Sequence, residues 1–287
     1  MKFALDLPNF GLFSDPRLLV ELAKDAEEAG WDAFFIWDHI ARITTHDVVD
    51  PWIALAAIAA QTRTMRIGAM VTPIARRRPW KLARETVTLD RLSNGRLIFG
   101  AGLGGGSSWR EEWANLGEEV NLKTRAKMLD EGLDILDGLW RGKPFSYDGE
   151  QFQIAETTFT PTPLQQPRIP TWIAGLWPNK PPFRRAARWD GLIPLLPEDG
   201  DPLNHMKAAI DYTRQHRQTD APFDIVYMTQ PTVENTPKAA ETRAAFAEAG
   251  VTWWLEELNA TYFGSTWEGE WDLAPVRAFI RQGPPTP

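Results

Sequence analysis

The chain has 287 residues, of which 43% are hydrophobic, so it is long and apolar enough to bury the core of one large α/β domain or of two small ones. A formal net charge of −7 argues against nucleic acid as the main partner. The absence of cysteine excludes disulfide bonds, thiolate chemistry and cysteine-ligated metals.

No apolar run in the sequence reaches the length of a membrane-spanning helix. Residues 1–6 have the pattern of a strand and lack the layout of a signal peptide. We therefore expect a soluble, cytoplasmic protein that acts on a small molecule, with neither a membrane nor nucleic acid as partner. A homodimer is left open.

The segment 33–39 predicts the clearest strand. Its apolar, aromatic-rich start is typical of a strand that is buried on both faces, and it ends in Asp38 and His39. Seven other segments have comparable strand patterns, and helical patterns separate them. The predicted strands are 3–8, 33–39, 66–73, 96–100, 171–174, 191–195, 224–228 and 251–255.

A capping residue followed by proline marks four helix starts, at Asp15, Asp50, Asp201 and Thr236. Eight strands that alternate with helices predict a closed (β/α)8 TIM barrel, with residues 1–287 as one domain. The barrel is expected to carry an inserted hairpin and extra helices after its fourth strand, at 144–154, 109–116 and 122–140. A doubly wound open sheet is the alternative.

Asp38 and His39 are the main candidates for chemistry. The carboxyl ends of barrel strands form the rim where ligands bind, and the second predicted strand delivers both residues there. The His39 imidazole, with an ordinary pKa of about 6.5, can exchange a proton at neutral pH. A hydrogen-bonded structural pair is the alternative. The other three histidines do not pair at metal-ligand spacing, so no metal site is predicted.

The glycine-rich segment 100–105 matches the G-x-G-x-x-G spacing after a predicted strand. A dinucleotide-binding fold would need a second strand that ends in an acid about twenty residues later. The sequence has the helix 122–140 in that region, so a Rossmann site is rejected. The segment is either a loop whose backbone closely approaches a flat ligand or a flexible turn.

Polar segments follow other predicted strands. The arginines 76–78 form either a solvated basic loop or contacts for an anionic cofactor tail or substrate. Residues 175–180 open a helix, whose free N–H groups favour a phosphate. Weaker candidates at the rim are Glu112, Gln230, Glu256 and Glu257.

The sequence resembles the luciferase-like flavin- and deazaflavin-dependent oxidoreductases over most of its length. The matching segments are Asp38-His39, 67–73 with 77–79 after it, 92–97, 100–104, 169–175 and 186–191. The resemblance implies a (β/α)8 barrel that holds a reduced isoalloxazine or deazaflavin ring at its C-terminal mouth. It also implies a non-proline cis peptide between Met70 and Val71.

The same resemblance implies roles for individual residues. His39 would act in proton transfer or substrate orientation, and Glu112, from the rim set, is the second catalytic candidate. The residues implied to line the cofactor are Asp38, Thr72, Gly102, Leu103, Gly104, Gly175 and Leu176.

We therefore predict an oxidoreductase of the luciferase-like monooxygenase type. The Asp-His pair is more similar to the deazaflavin branch, which favours coenzyme F420 over FMN for hydride transfer or monooxygenation of a small organic substrate. Gly105 stands where the sugar-phosphate dehydrogenases of that branch carry a glutamate, so a sugar phosphate is not expected. The alternatives are a cofactor-binding barrel without turnover and a metal-free hydrolase or lyase that uses His39 and Glu112.

Overall fold

The computed structural model describes residues 1–41, 47–105, 109–231, 236–264, 266 and 271–285. Its strands are β1 (Lys2–Leu7), β2 (Ala33–Ile36), β3 (Arg66–Ala69), β4 (Thr72–Pro73), β5 (Phe99–Gly102), β6 (Phe145–Asp148), β7 (Gln153–Thr157), β8 (Thr171–Leu176), β9 (Gly191–Leu195), β10 (Asp224–Thr229) and β11 (Trp253–Glu257). Its helices are α1 (Pro16–Glu28), α2 (Pro51–Gln61), α3 (Pro79–Leu92), α4 (Trp109–Glu112), α5 (Leu122–Trp140), α6 (Lys180–Ala186), α7 (Pro202–His216), α8 (Pro237–Ala249) and α9 (Leu273–Gln282). Among the helices in these described ranges, none combines the length and apolar character needed to cross a membrane.

Nine strands form one parallel sheet in the order β3-β2-β1-β11-β10-β9-β8-β5-β4. β3 and β4 are two halves of the predicted strand 66–73, and the Met70–Val71 peptide between them is cis, as the family resemblance implied. An isolated parallel bridge between Ile67 and Leu97 links the third strand to the chain that enters β5, so the sheet closes on itself. The fold is an α/β TIM barrel, and the open-sheet alternative is wrong.

Polar caps explain where four of the helices begin. The side chains of Asp15, Asp50, Asp201 and Thr236 accept hydrogen bonds from backbone N–H groups in the first turns of α1, α2, α7 and α8. Proline follows each cap as the first helical residue, where a missing N–H costs no helical hydrogen bond. The four predicted helix starts are confirmed.

The insertions after β5 lie where the sequence predicts them. α4 and α5 fall in the two predicted helices, and β6 and β7 form the antiparallel hairpin. The fourth barrel strand itself starts at Phe99, three residues later than predicted. The reason is Arg96, whose buried guanidinium anchors the chain before it enters the sheet by donating to the carbonyl groups of Ala59, Thr62, Met65 and Ser93.

Aromatic side chains fill the interior of the barrel. Phe35 of β2, Trp172 of β8 and Trp253 of β11 contact one another, with ring centroids 5.7, 6.4 and 5.2 Å apart. All three are buried, and the small residues Ala4 and Ala33 complete the same interior cluster. Because this layer fills the barrel, the carboxyl ends of the strands above it are the place for a ligand.

Glycine is required where the third barrel strand approaches the fourth. A Cβ atom on Gly68 of β3 would lie 2.1 Å from the backbone oxygen of Ile98 and 3.4 Å from the Phe35 ring. The Ile98 N–H in turn donates to the carbonyl of Ile67, so the contacting backbone is held in the barrel wall. A side chain at position 68 would therefore separate two strands that must be adjacent.

We expect Gly68→Ala to lower the free energy of unfolding by about 1–3 kcal/mol, because the added methyl group overpacks the barrel wall. Chemical denaturation followed by circular dichroism measures the change. Gly105→Ala is the matched control: a Cβ atom there meets nothing within 4 Å, and its effect should stay within about 0.5 kcal/mol. Equal stability of the two variants would contradict the close approach.

Candidate active site

The residues that follow β2 divide between two faces of the barrel wall. Phe35 packs in the interior, so strand alternation places Trp37 and His39 on the inner face and Asp38 on the outer one. Trp37 Nε1 donates to Asp6 inside the barrel, whereas Trp52 of α2 donates to Asp38 outside it. Asp38 and His39 therefore act in different surroundings, although they are neighbours in sequence.

His39 is paired with Glu112, which lies on α4 after the fourth barrel strand. His39 Nδ1 lies 2.9 Å from Glu112 Oε1, across 73 positions of sequence. The same oxygen accepts the backbone N–H of Ile40 at 2.9 Å and lies 3.3 Å from Arg76 Nη1. The two predicted catalytic residues are thus brought together, and the insertion after β5 supplies one of them.

The electrostatics of this pair fix which nitrogen of His39 carries hydrogen. Burial raises the pKa of Glu112, but the hydrogen bond and charge of His39, the charge of Arg76 and the N–H of Ile40 outweigh it and hold that pKa below its ordinary value. An ionised carboxylate only accepts, so Nδ1 is the donor. Within the described part of the chain Nε2 has no hydrogen-bond partner, and the side chain is 18% exposed. Nε2 is therefore the atom that can exchange a proton with a ligand.

Asn9, a residue that sequence reasoning passed over, holds the backbone of His39 at the end of β1. Its Oδ1 accepts the His39 N–H at 3.1 Å, and its Nδ2 donates to the His39 carbonyl at 2.8 Å. The rings of Phe10 and Trp37 contact the imidazole, each with its centroid 5.7 Å away. The imidazole is therefore fixed on its Nδ1 edge, its ring faces and its backbone. The signal in the sequence that could have indicated Asn9 is its position, as a short polar residue just after a predicted strand.

Asp38 lies at the centre of a buried ion-pair cluster. Arg76 Nη2 is 2.9 Å from Oδ1, Arg77 Nη2 is 2.7 Å from Oδ2, and Trp52 Nε1 donates to Oδ2 at 3.2 Å. The side chains of Asp38 and Arg76 are 0% and 2% exposed. Arg76 and Arg77 therefore do not form a solvated loop, and their contact with an anionic ligand stays a prediction. Arg78 is the exposed member of the three.

The glycine-rich segment packs closely against neighbouring parts of the protein. A Cβ atom on Gly102 would lie 2.6 Å from Val71 Cγ2, and one on Gly104 would lie 2.8 Å from both Pro73 and Trp113. Gly104 also has a φ of 66°, which disfavours any other residue. The carbonyls of Leu103 and Gly104 accept hydrogen bonds from Arg125, which stacks on Trp113. The segment brings its backbone close to the cis peptide of the third strand, and its contact with a cofactor stays a prediction.

The remaining predicted cofactor residues occupy different positions at the rim. Thr72 is buried, and its Oγ1 has no hydrogen-bond partner in the described part of the chain. A Cβ atom on Gly175 would lie 2.3 Å from Pro182, so this glycine serves the packing of α6 on β8. Leu176 is 59% exposed at the end of β8, on the same face as the interior residues Trp172 and Ala174.

The predicted phosphate site at 175–180 is not supported by the local geometry. The helix α6 that it opens has only seven residues. The cation at its start, Lys180, lies 3.6 Å from the ring centroid of Trp177 and 4.3 Å from that of Tyr212. This lysine packs on aromatic faces instead of presenting its charge at the helix end.

Two of the weaker rim candidates, Glu256 and Glu257, lie on opposite faces of β11. Glu256 points outward, where its carboxylate accepts the indole N–H of Trp254. Glu257 is half-buried on the inner face of β11, in parallel register with Asp6 of β1. Sequence reasoning missed Asp6, because an acid inside an otherwise apolar strand is a weak signal. Gln230 is exposed just after β10.

The inner face of the mouth is largely apolar, with a few polar groups at its edge. Apolar side chains that are half-buried or exposed line it, and His39 and Glu257 are titratable groups beside them within the described ranges. These apolar residues are Val71, Ala174, Leu176, Leu195 and Met228. Such a surface, apolar with a few fixed polar atoms, is typical of a cofactor or small-molecule site.

The barrel, its mouth and the histidine–glutamate pair define a (β/α)8 protein with an acid–base group at the usual site of barrel enzymes. A sequence profile of the luciferase-like monooxygenase family matches residues 7–279. The chain belongs to this family.

Individual relatives differ in the cofactor that their names record. The chain is 31% identical over 165 residues to the oxygenase component of a flavin-dependent trigonelline monooxygenase from Acinetobacter baylyi, covering 58% of this chain and 44% of that protein. It is 33% identical over 163 residues to an F420-dependent glucose-6-phosphate dehydrogenase from Amycolatopsis mediterranei, covering 55% of this chain and 47% of that protein. The chain thus matches less than half the length of each of these relatives.

The fold of the chain is also similar to that of solved structures. The structure of an F420-dependent secondary alcohol dehydrogenase in complex with an F420–acetone adduct superposes with a TM-score of 0.71 at 17% sequence identity. The superposition covers 90% of this chain and 94% of that one. At this identity the likeness shows a shared barrel.

We expect Asp38→Ala to lower the free energy of unfolding by about 3–5 kcal/mol, because it leaves Arg77 without its buried counter-charge and Arg76 with Glu112 alone. Arg78→Ala, in the same loop but exposed, is the control and should change stability by no more than about 0.5 kcal/mol. Urea denaturation of both variants measures the difference. A stable Asp38→Ala variant that has lost cofactor affinity would instead mean that Asp38 contacts the cofactor directly.

Proposed function

We propose that the protein is an oxidoreductase that binds a reduced flavin-type cofactor, coenzyme F420 in preference to FMN, at the C-terminal mouth of its barrel. Its reaction is hydride transfer or monooxygenation of a small organic substrate. The single observation that carries the proposal is the His39–Glu112 pair, 2.9 Å apart, at the mouth of a barrel of this family.

The chain's own residues have three tasks in this proposal. The apolar side chains at the mouth, such as Leu176 and Met228, bind the ring and exclude water from it. Glu112 is a positioning residue that keeps His39 in one tautomer, and His39 Nε2 holds or accepts a proton at the substrate. The bound cofactor supplies the redox chemistry itself.

The cofactor preference rests on the Asp38-His39 motif, which is more similar to the deazaflavin branch of the family. The relatives support a flavin-type cofactor in general, since one is named for a flavin and the other for F420. The arginine loop adds little to the preference, because Arg76 and Arg77 are engaged with Asp38 and leave Arg78 as the cation at the surface.

Titration of the purified protein with coenzyme F420 and with FMN, followed by cofactor fluorescence, tests the proposal. We expect saturable binding of F420 and at least tenfold weaker binding of FMN, a difference of about 1.4 kcal/mol in binding free energy. Tight FMN binding without F420 binding would overturn the preference and keep the class of enzyme. If neither cofactor binds, the proposed class is wrong.

We expect His39→Ala to reduce turnover about 10²–10⁴-fold, which is the usual contribution of a positioned acid–base group. Cofactor affinity and melting temperature should change little, because Glu112 keeps its contacts with Arg76 and Ile40. His216→Ala removes an exposed histidine of α7 and is the matched control. Turnover, cofactor affinity and melting temperature are measured on both.

The opposite result would assign His39 to the scaffold. In that case the substitution leaves hydrogen-bonding groups unpaired and costs about 1–3 kcal/mol of stability, while turnover stays near normal. A protein that binds cofactor but never accelerates its reoxidation with any substrate class would point to a binding protein without turnover.

A further inference from the structure

A second pair of titratable groups lies inside the barrel, apart from His39 and Glu112. Asp6 of β1 and Glu257 of β11 are direct partners in the parallel register of these strands. Ala4 and Leu255, two residues before them, pack in the interior cluster of the barrel. Strand alternation therefore places both carboxyl groups on the inner face, side by side, one layer above the aromatic filling.

Among the residues that the structure describes, the pair has polar contacts but no counter-charge. Trp37 Nε1 donates to Asp6 Oδ2 at 2.9 Å, and the Asn259 side chain opposes the rise in the pKa of Glu257. Asp6 Oδ1 is buried and has no hydrogen-bond partner within the described residues. No lysine or arginine of the described ranges forms an ion pair with either group, in contrast to Asp38 with its two arginines.

Burial and a neighbouring carboxyl group both favour the protonated form of a carboxylic acid. Burial, and then the charge of Glu257, raises the pKa of Asp6 well above its ordinary range, and the Trp37 hydrogen bond offsets only part of this. Burial likewise raises the pKa of Glu257 against the opposing effect of Asn259. The orphaned Asp6 Oδ1 is the acceptor that a proton held between the two groups would satisfy.

We propose that Asp6 and Glu257 share one proton, and that Glu257 presents it to an oxygen atom of the substrate as a second acid–base residue of the mouth. Glu257 is half-buried and can touch a ligand, whereas Asp6 is fully buried and acts as a positioning residue. This inference rests on the proposed function for the presence of a substrate in the mouth.

The proton transfer balances within the pair and the substrate. The O–H bond of Glu257 breaks, a new O–H bond forms on the substrate oxygen, and the electron pair stays on the Glu257 carboxylate. Solvent later returns the proton. A carbonyl or alkoxide oxygen suits this donor. The His39–Glu112 pair is different, because its carboxyl group is held ionised. When the environments of two titratable groups shift their pKa values in opposite directions, one group is suited to act as an acid and the other as a base.

The first test needs no cofactor. Infrared difference spectra of wild-type protein against Asp6→Asn/Glu257→Gln should show, at neutral pH, the carbonyl stretch of one protonated carboxyl group that the double variant lacks. Glu256→Gln, the neighbouring buried carboxylate on the outer face, is the matched control and should keep that signal. A wild-type protein without the signal would overturn the proposal.

The pH dependence of unfolding gives a second reading of the same proton. Since the folded pair holds a proton that the unfolded carboxyl groups lose above their ordinary pKa of about 4, wild-type stability should fall as pH rises toward the raised pKa of the pair. The melting temperature of the Asp6→Asn/Glu257→Gln variant should therefore decrease less over the same pH range. Parallel curves for the two proteins would contradict a shared proton.

The third measurement separates this proposal from the proposed function. With F420 bound, Glu257→Gln should keep cofactor affinity but lose turnover about 10²–10⁴-fold, together with one limb of the pH–rate profile, because glutamine can donate a hydrogen bond but not a proton. Normal turnover with an unchanged pH profile would overturn the role of Glu257. Failure of the wild-type protein to bind either cofactor would overturn the proposed function, whatever the infrared result.

Discussion

The buried carboxylate of Asp38 is the interaction on which the rest of the mouth depends. It holds Arg76 and Arg77 on the outer side of the barrel wall, and Arg76 in turn lies 3.3 Å from Glu112, the residue that orients His39. The charges of this chain of contacts nearly cancel, which is why four ionisable side chains can pack together with little exposure. The candidate catalytic histidine is therefore held through an ion pair that is itself buried.

Glu112 and the Asp6–Glu257 pair are carboxyl groups in two different environments, and the groups around them decide their charge. Glu112 has a cation and two N–H donors within reach and stays ionised, whereas Asp6 and Glu257 have each other and no paired cation among the described residues. Burial affects all three groups, so the sign of the net effect is decided by the partners. In this proposal the mouth holds an ionised carboxyl group on α4 and a carboxyl pair that keeps a proton on the adjacent strands β1 and β11.

Backbone proximity shapes the opposite side of the mouth. Gly102 and Gly104 let the backbone at the end of β5 pack against Val71, Pro73 and Trp113. Arg125 donates hydrogen bonds to the carbonyl groups of the last two residues of this turn, 103 and 104. A G-x-G-x-x-G spacing elsewhere can serve a pyrophosphate. Here the glycines leave room for other atoms of the protein, so the same motif has a packing role in this barrel.

The sequence by itself determined the elements, because caps, prolines and apolar runs act locally: Asp15 or Asp50 fixes a helix start whatever the rest of the chain does. It also placed His39 at the rim, because this residue follows a predicted strand, whereas Glu112 was one of several weaker candidates. Only the tertiary structure decided the partners. That Asp38 meets Arg77, or that Asp6 meets Glu257 across 251 positions, follows from the closure and register of the sheet. Contacts between residues distant in sequence leave no local pattern, so the charge state of the site could be read only from the folded barrel.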